Sequence, residues 1–126
     1  MRKILVAEDD LASRELIREI LETCGYQVLE ARDGREALQR VEETAPDLVL
    51  LDIQIPVMDG FAVLRQLRQD SRFARLPVVA VTAYAMRGDR EKALAAGFDA
   101  YLTKPLNAAA LKKQLEQLLG KKKGAT

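Results

Sequence analysis

Apolar stretches typical of strands alternate with stretches of helical periodicity five times along this 126-residue chain. This alternation favours a parallel sheet, because parallel strands must be joined by crossovers and helices usually provide them. The chain is therefore predicted to be an α/β protein in which helices cover both faces of a five-stranded parallel sheet. The predicted strands are Lys3–Ala7, Tyr26–Ala31, Leu48–Leu51, Pro77–Ala83 and Asp99–Thr103.

The polarity of the strands predicts their order. The first, third and fourth strands are almost continuously apolar, as strands covered on both faces must be. The second and fifth strands contain more polar residues, which favours the two edges of the sheet. A strand order of 2-1-3-4-5 satisfies both conditions.

Single residues predict where helices begin and turns form. Asp10 is suited to cap the first helix and Asn107 the last. The pair Asp59-Gly60 predicts a tight turn before the third helix. The first helix carries apolar residues at helical spacing, namely Leu16, Ile17, Ile20, Leu21 and Cys24.

Composition limits the class of protein. The apolar fraction of 48% is enough for one domain, predicted over residues 1–120, with residues 121–126 as a basic flexible tail. A net charge of +1 argues against nucleic acid or an anionic membrane as the main partner. Cys24 is the single cysteine, and the sequence has neither a signal-peptide pattern nor an apolar run of membrane-spanning length, so a cytoplasmic location is expected. The lack of histidine excludes catalytic histidines, zinc sites with histidine and an internal phosphohistidine.

Polar residues follow the predicted strands at the edge of the sheet where open α/β proteins bind ligands. Strand one is followed by three acids, Glu8, Asp9 and Asp10, and strand three by Asp52. Because strands one and three are predicted neighbours, these acids are expected to converge. Two carboxylates about 5 Å apart repel by roughly 3 kcal/mol at an effective dielectric constant near 20, so a compensating cation is expected.

The acids predict a site for a hard metal ion. All candidate ligands are oxygens, which favours Mg²⁺, with Mn²⁺ as a possible substitute. Asp9 and Asp52 are the expected direct ligands, Glu8 is expected to act through water, and Asp10 is expected to cap the first helix.

Thr82 lies at the end of the fourth predicted strand, and Lys104 follows the fifth. A hydroxyl and an ammonium group beside Mg²⁺ can hold the oxygens of a phosphoryl group. An aspartate in that setting can itself be the nucleophile and form an acyl phosphate. Each residue alone is a weak signal, and the arrangement of one functional group per strand end is what makes the pattern specific.

Four stretches of the sequence resemble the receiver domain of two-component response regulators, over about residues 2–119. They read ILVAEDD, DLVLLDIQIPVMDG, PVVAVTAYA and GFDAYLTKPL. The resemblance implies the flavodoxin-like, doubly wound (βα)5 fold, whose strand order is also 2-1-3-4-5. It further implies a single-domain protein similar to the chemotaxis regulators.

The resemblance also implies roles for individual residues. It implies that Asp52 is the phosphoacceptor and that Mg²⁺ is held by Asp9, Asp52 and the backbone carbonyl of Gln54, with Glu8 in the outer shell. Further residues are implied to contact the phosphoryl group or to switch with it: Thr82, Lys104, the backbone of Ala83, and Tyr101 as the switch aromatic. The bond between Lys104 and Pro105 is expected to be cis, which would aim the lysine into the site.

The function implied is that of a signalling module and not an enzyme, with Mg²⁺-dependent self-phosphorylation from small donors and autodephosphorylation. The donor must be another molecule, a histidine kinase or a histidine phosphotransfer protein, because the chain has no histidine. Candidates for the donor-docking surface are Leu11, Ala12 and Glu15 on the first helix. The output partner is expected to bind the face formed by the fourth helix, fifth strand and fifth helix.

Two other functions are compatible with parts of this pattern. A small Mg²⁺-dependent phosphatase with an aspartate nucleophile needs the same four groups, but it usually places a second acid two residues after the nucleophile, where this chain has Gln54. A flavodoxin-like cofactor binder would need a phosphate-binding loop rich in glycine, serine or threonine after strand one, where this chain has AEDDLA.

Two residues are expected to set the rate at which an acyl phosphate hydrolyses. Gln54 lies two residues after Asp52, and Tyr84 lies two residues after Thr82. Gln54 could orient an attacking water, whereas the ring of Tyr84 could exclude it. Exclusion is expected to dominate, which predicts a long-lived phosphoryl group.

Overall fold

The computed structural model describes residues 1–83 and 85–120. Within these ranges the order of elements is β1 (Lys3–Ala7), α1 (Leu11–Thr23), β2 (Gln27–Ala31), α2 (Gly34–Thr44), β3 (Leu48–Asp52), α3 (Gly60–Gln69), β4 (Val78–Thr82), α4 (Asp89–Ala96), β5 (Ala100–Thr103) and α5 (Ala108–Leu119). Tyr84 and the predicted tail, residues 121–126, lie outside the described residues. No helix of the described residues is long and apolar enough to cross a membrane.

The strands form one parallel sheet in the order β2-β1-β3-β4-β5. The predicted fold class and strand order are confirmed. All residues of β3 and β4 are buried, whereas β2 and β5 keep partly exposed positions, as the polarity of the sequence predicted.

Each face of the sheet has its own apolar core, because successive strand residues point to opposite faces. The first core lies under α1 and α5 and includes Ile17, Leu21, Leu111 and Leu115. The second lies under α2, α3 and α4 and includes Val41, Val63, Leu67 and Ala93.

Side-chain caps begin four of the helices as their sequences suggest. Asp10 accepts a hydrogen bond from the backbone N–H of Ser13 at 2.9 Å, and Asn107 accepts one from Ala110 at 3.0 Å. Asp33 and Asp59 cap α2 and α3 in the same way. The predicted caps at Asp10 and Asn107 are thus present.

The Asp59-Gly60 pair is not the turn that was expected. Asp59 caps α3 and Gly60 is the first residue of that helix, whereas the left-handed residue of the preceding loop is Val57, with φ 71°. A Cβ on Gly60 would lie 2.7 Å from the Cα of Ile53. Glycine is therefore required here by the close approach of α3 to the chain just after Asp52.

The buried face of α1 is rotated from the face that was predicted. Ile17 and Leu21 are buried as expected, but Leu16 is 45% exposed and Arg14 is 8% exposed. An arginine therefore occupies the place on the buried stripe that is one turn before Ile17, while a leucine faces outward.

Candidate functional site at the carboxyl ends of the strands

Asp52 is the last residue of β3, the central strand of the sheet, and is 6% exposed. Its Oδ1 accepts a hydrogen bond from the backbone N–H of Gln54 at 2.9 Å, and its Oδ2 accepts one from Lys104 Nζ at 2.9 Å. Neighbouring strands on both sides fix the backbone of β3. The carboxylate is consequently held at one place by the sheet, the following turn and a lysine.

Lys104 reaches the site from the loop after β5. Its backbone N–H donates to the carbonyl oxygen of Thr82 at 2.8 Å, and its Nζ forms ion pairs with both Asp52 and Glu8. The Lys104–Pro105 peptide bond is cis, as expected from the sequence. Among the described residues, this lysine is the cation that pairs with the carboxylates of Glu8 and Asp52.

Carboxylate oxygens of Glu8, Asp9 and Asp52 all lie within 4.8 Å of one another. Glu8 is 2% exposed, whereas Asp9 is exposed. Glu8 pairs with Lys104 through Oε1, and its other carboxylate oxygen, Oε2, accepts a hydrogen bond from the backbone N–H of Asp10 at 3.0 Å. The three carboxylates, together with the ammonium group of Lys104 that pairs with two of them, give the cluster a formal charge of −2.

The surroundings change the acidity of two of these groups. Burial raises the pKa of Glu8, and the nearby charge of Asp52 adds to this, although hydrogen bonds from Lys104 and Asp10 oppose it. Burial lowers the pKa of Lys104, but its bonds to Glu8 and Asp52 outweigh burial, so the net shift is upward. Lys104 therefore stays charged, but its single positive charge does not neutralise the three carboxylates of the cluster.

The donor set fits a hard divalent cation. Its three side chains supply oxygens from the loop after β1 and from the end of the neighbouring strand β3, and the −2 charge would be neutralised by one Mg²⁺. This part of the structure agrees with the predicted convergence of Glu8, Asp9 and Asp52, while Asp10 lies at the helix cap as expected.

Thr82 and Tyr101 lie on the two strands beyond Asp52. Thr82 ends β4 and is 3% exposed. Tyr101, on β5, is buried in the core under α2, α3 and α4, and its hydroxyl has no hydrogen-bond partner among the described residues. Burial raises the pKa of this hydroxyl, with a smaller contribution from the charge of Asp89.

Of the other predicted residues, Gln54 and Ala83 are exposed beside the site. The remaining prediction, for Tyr84, falls outside the described residues. The structure thus brings the acidic cluster, Lys104 and the end of β4 to one edge, and it leaves the role of Tyr84 as a prediction.

Arg14 also belongs to this region and was not predicted. Its Nη1 donates to the backbone carbonyl of Glu8 at 2.9 Å, and its Nε donates to Glu30 Oε1 at 2.7 Å. A signal was present in the sequence, because Arg14 precedes Ile17 by three residues and Leu21 by seven, the spacing of the buried stripe.

Comparison with known proteins defines the family. The sequence-family model of the response regulator receiver domain matches residues 4–116. The chain belongs to this family. A receiver domain is a signalling module of two-component systems, and receiver domains accept phosphoryl groups from histidine kinases and act on downstream partners. The resemblance read from the sequence is confirmed.

Relatives of nearly the same length support the assignment. The polar-differentiation response regulator DivK of Brucella anthropi is 36% identical over 119 residues, which cover 94% of this receiver domain and 97% of DivK. The chemotaxis protein CheY4 of Vibrio cholerae is 31% identical with a TM-score of 0.87, and the match covers 94% of this chain and 99% of that one.

A further solved relative bears on the metal. The receiver domain of the sensor histidine kinase PA1611 from Pseudomonas aeruginosa is 36% identical, with a TM-score of 0.87 over 94% of this chain and 98% of that one. That structure contains a magnesium ion coordinated in its active-site cleft. The acidic cluster of the present receiver domain has the composition that such a site requires.

Proposed function

We propose that this receiver domain accepts a phosphoryl group on Asp52 from an external phosphohistidine and then exchanges protein partners. The observation that carries the proposal is the placement of the Asp52 carboxylate, which lies at the end of the central strand, 2.9 Å from Lys104 Nζ and beside the carboxylates of Glu8 and Asp9. A nucleophilic carboxylate needs such a fixed position, together with nearby positive charge for the oxygens of the incoming group.

The transfer is a substitution at phosphorus. An Asp52 oxygen forms the new P–O bond while the P–N bond to the donor imidazole breaks, and the released nitrogen retains the electron pair of that bond. Lys104 exchanges its contact with the carboxylate for a contact with a phosphoryl oxygen, and the Thr82 hydroxyl and the backbone N–H of Ala83 are proposed to donate to the others. Each of these groups lies at or just after the end of a strand, so little rearrangement is required.

Mg²⁺ is proposed to bind Asp9, Asp52 and the backbone carbonyl of Gln54, with Glu8 in the outer shell. When bound, the ion supplies the positive charge that offsets both the carboxylates and the developing charge on the phosphoryl oxygens. Mn²⁺ is expected to substitute, since it also prefers oxygen ligands in six-fold coordination.

The donor is proposed to dock beside α1, where a mainly apolar groove of about 330 Å³ adjoins the site. Leu16 and Lys104 both line this groove. Leu16 is 45% exposed and Leu11 is 57% exposed, so α1 offers apolar contact next to the acceptor. Ala12 and Glu15 are exposed on the same helix. This patch would orient the phosphohistidine of a histidine kinase or phosphotransfer protein toward Asp52.

The output surface is proposed to be formed by α4, β5 and α5. A second groove, of about 370 Å³, joins these elements and is lined by Arg90, Tyr101 and Ala110 among others. Tyr101 is buried in this structure, so phosphorylation is proposed to stabilise the buried position through movement of Thr82. A partner that binds this groove would then distinguish the phosphorylated protein from the unphosphorylated one.

The central experiment labels the acceptor. Incubation with Mg²⁺ and phosphoramidate should add one hydroxylamine-labile phosphoryl group, detected by intact-mass spectrometry, and Asp52→Asn should abolish it. Asp47→Asn, which changes an aspartate at the opposite end of β3, is the matched control and should label normally. Labelling that persists in Asp52→Asn would refute the assignment.

A second experiment tests the docking surface. Leu16→Glu should slow transfer from a phosphohistidine protein that labels the wild-type chain, while labelling by phosphoramidate stays at the wild-type rate. Leu94→Glu, at an exposed leucine of α4, is the control for an added surface charge. If Leu16→Glu slows phosphorylation by both donors equally, the defect lies in the phosphoryl transfer step and not in docking.

The phosphoryl group is proposed to be long-lived, because Tyr84 is expected to narrow the path of attacking water more than Gln54 assists it. Tyr84→Ala should accelerate decay of the phosphorylated protein several-fold in Mg²⁺ without a phosphatase. The decay is followed by the loss of the added mass over time. An unchanged or slower decay would show that Tyr84 does not shield the bond.

A further inference from the structure

Arg14 connects the loop that follows β1 and contains Glu8 and Asp9, called here the acidic loop, to the edge strand β2. Its guanidinium is buried and donates in two directions, to the carbonyl oxygen of Glu8 at 2.9 Å and to the carboxylate of Glu30 at 2.7 Å. Glu30 lies on β2, on the same face of the sheet as α1, and pairs in register with Val6. A side chain of α1 therefore spans from β2 to the peptide unit that follows Glu8.

That peptide unit determines how the acidic loop is presented. The strand β1 ends at Ala7, so Glu8 and Asp9 lie beyond the ladder of β1 with β3. The backbone N–H of Glu8 donates to Ala31 at 2.9 Å, and its carbonyl accepts from Arg14. The carbonyl of Glu8 belongs to the same planar unit as the N–H of Asp9, so fixing it restricts where the Asp9 carboxylate can point.

The charge of Arg14 is neutralised without help from the acidic cluster. Glu30 accepts from Arg14, and it also pairs with Arg18, which is half-exposed. Arg14 therefore contacts the loop through a backbone oxygen and not through a metal-binding carboxylate. This allows an arginine to support a cation site without competing for its ligands.

We propose that Arg14 is a positioning residue for the metal site, acting through the Glu8–Asp9 peptide unit with Glu30 as its anchor. The inference rests on the proposed function, in which Glu8, Asp9 and Asp52 hold Mg²⁺. Arg14 restricts the acidic loop to the arrangement in which its carboxylates converge, so that Mg²⁺ meets a site that is already assembled.

Arg18 provides a matched control. It is on the same helix and pairs with the same carboxylate, Glu30, but its other partner is Glu22 and not the acidic loop. A substitution at Arg18 removes a cation and a contact to Glu30, and it leaves the bond from Arg14 to the Glu8 carbonyl in place.

The experiment measures Mg²⁺ affinity by isothermal titration calorimetry and the metal-free stability by urea unfolding. Arg14→Met should raise the Mg²⁺ dissociation constant about tenfold or more, in the range seen when outer-shell partners of metal ligands are lost. Arg14→Lys, which keeps the charge and can still reach one of the two acceptors, should recover part of that loss. Arg18→Met should stay within about twofold of the wild type, because it leaves the loop contact intact.

A purely structural role gives a different result. If Arg14→Met lowers the stability but the folded protein binds Mg²⁺ with wild-type affinity, the inference is overturned while the proposed function stands. If Arg14→Met does not fold, Arg14→Lys decides. A rise of threefold or more in its Mg²⁺ dissociation constant supports the inference, and a smaller rise overturns it.

Phosphorylation separates this inference from the proposed function. In Arg14→Met, the phosphoramidate rate should approach that of the wild type at saturating Mg²⁺, because the nucleophile is intact. A wild-type chain that binds no Mg²⁺ would overturn the metal site and the role of Arg14 together. A wild-type chain that binds Mg²⁺ but does not label at Asp52 would overturn only the phosphoacceptor.

Discussion

The two ends of the sheet treat charge in opposite ways. At the amino ends of the strands, Arg68 donates to three backbone carbonyls and to the carboxylate of Asp99, at distances of 2.7–3.2 Å. At the carboxyl ends, Lys104 faces the carboxylates of Glu8 and Asp52, with Asp9 beside them. At the amino ends, the guanidinium of Arg68 donates to acceptors that are mostly neutral carbonyls. At the carboxyl ends, three carboxylates lie around the single ammonium group of Lys104.

This contrast shows where the fold stabilises itself and where it stores repulsion. Arg68 joins α3, the loop before β4, the end of α4 and the start of β5, so it fixes elements that are distant in sequence. Asp99 adds a second bond there, accepting from the backbone N–H of Val78 at 2.8 Å. At the carboxyl ends, the three carboxylates outnumber the one ammonium group that pairs with them among the described residues, so the cluster requires a further cation.

The largest expected effect is at the amino ends. Arg68→Met should lower the free energy of unfolding by about 2–4 kcal/mol, because it removes one hydrogen-bond donor from each of three backbone carbonyls and from the carboxylate of Asp99. Urea unfolding measures the loss, and calorimetry should show unchanged Mg²⁺ affinity. Arg65→Met, at an exposed arginine of the same helix, is the control and should change little. An equal loss in Arg65→Met would contradict a special role for Arg68.

The next effect has the opposite sign and lies at the carboxyl ends. Asp9→Ala should raise the metal-free stability by about 1 kcal/mol, since it removes one of the converging carboxylates, and should weaken Mg²⁺ binding strongly. Added Mg²⁺ should then stabilise the wild type but not the variant. High salt should reduce the metal-free difference by screening the repulsion. A destabilised variant in the absence of metal would mean that Asp9 contributes to the fold and not to repulsion.

The smallest effect tests whether charge matters at the amino ends. Asp99→Asn keeps an oxygen that can accept from Val78 but removes the charge that faces Arg68. Asp99 is 39% exposed as a side chain, so solvent screens the pair and a loss of only about 0.5 kcal/mol is expected. Combined with Arg68→Met in a double-mutant cycle, it should yield a coupling of the same size. A coupling near zero would assign the stabilisation by Arg68 entirely to the backbone carbonyls.

The part of the site that could be predicted is the part that strand order controls. Asp52 and Thr82 end their strands and Lys104 follows the last strand, and parallel strands bring their carboxyl ends to one edge whatever the details of packing. The position of Glu8 could be predicted for the same reason. Its pairing with Lys104 could not, because that contact joins residues 96 positions apart and depends on how the last loop closes over the edge.

Sequence by itself determined the α/β class, the strand order and the caps at Asp10 and Asn107, because periodicity, burial on two faces and local hydrogen bonding are properties of short stretches. Only the tertiary structure decided between two sides of α1 that both fit a helical spacing: Leu16 faces outward and Arg14 faces inward. The rotation of a helix is fixed by its packing on the sheet and by a buried acceptor such as the Glu8 carbonyl, neither of which appears in the helix's own residues. Gly60 follows the same logic, since a turn signal in the sequence proved to be a position where two backbones approach too closely for any side chain.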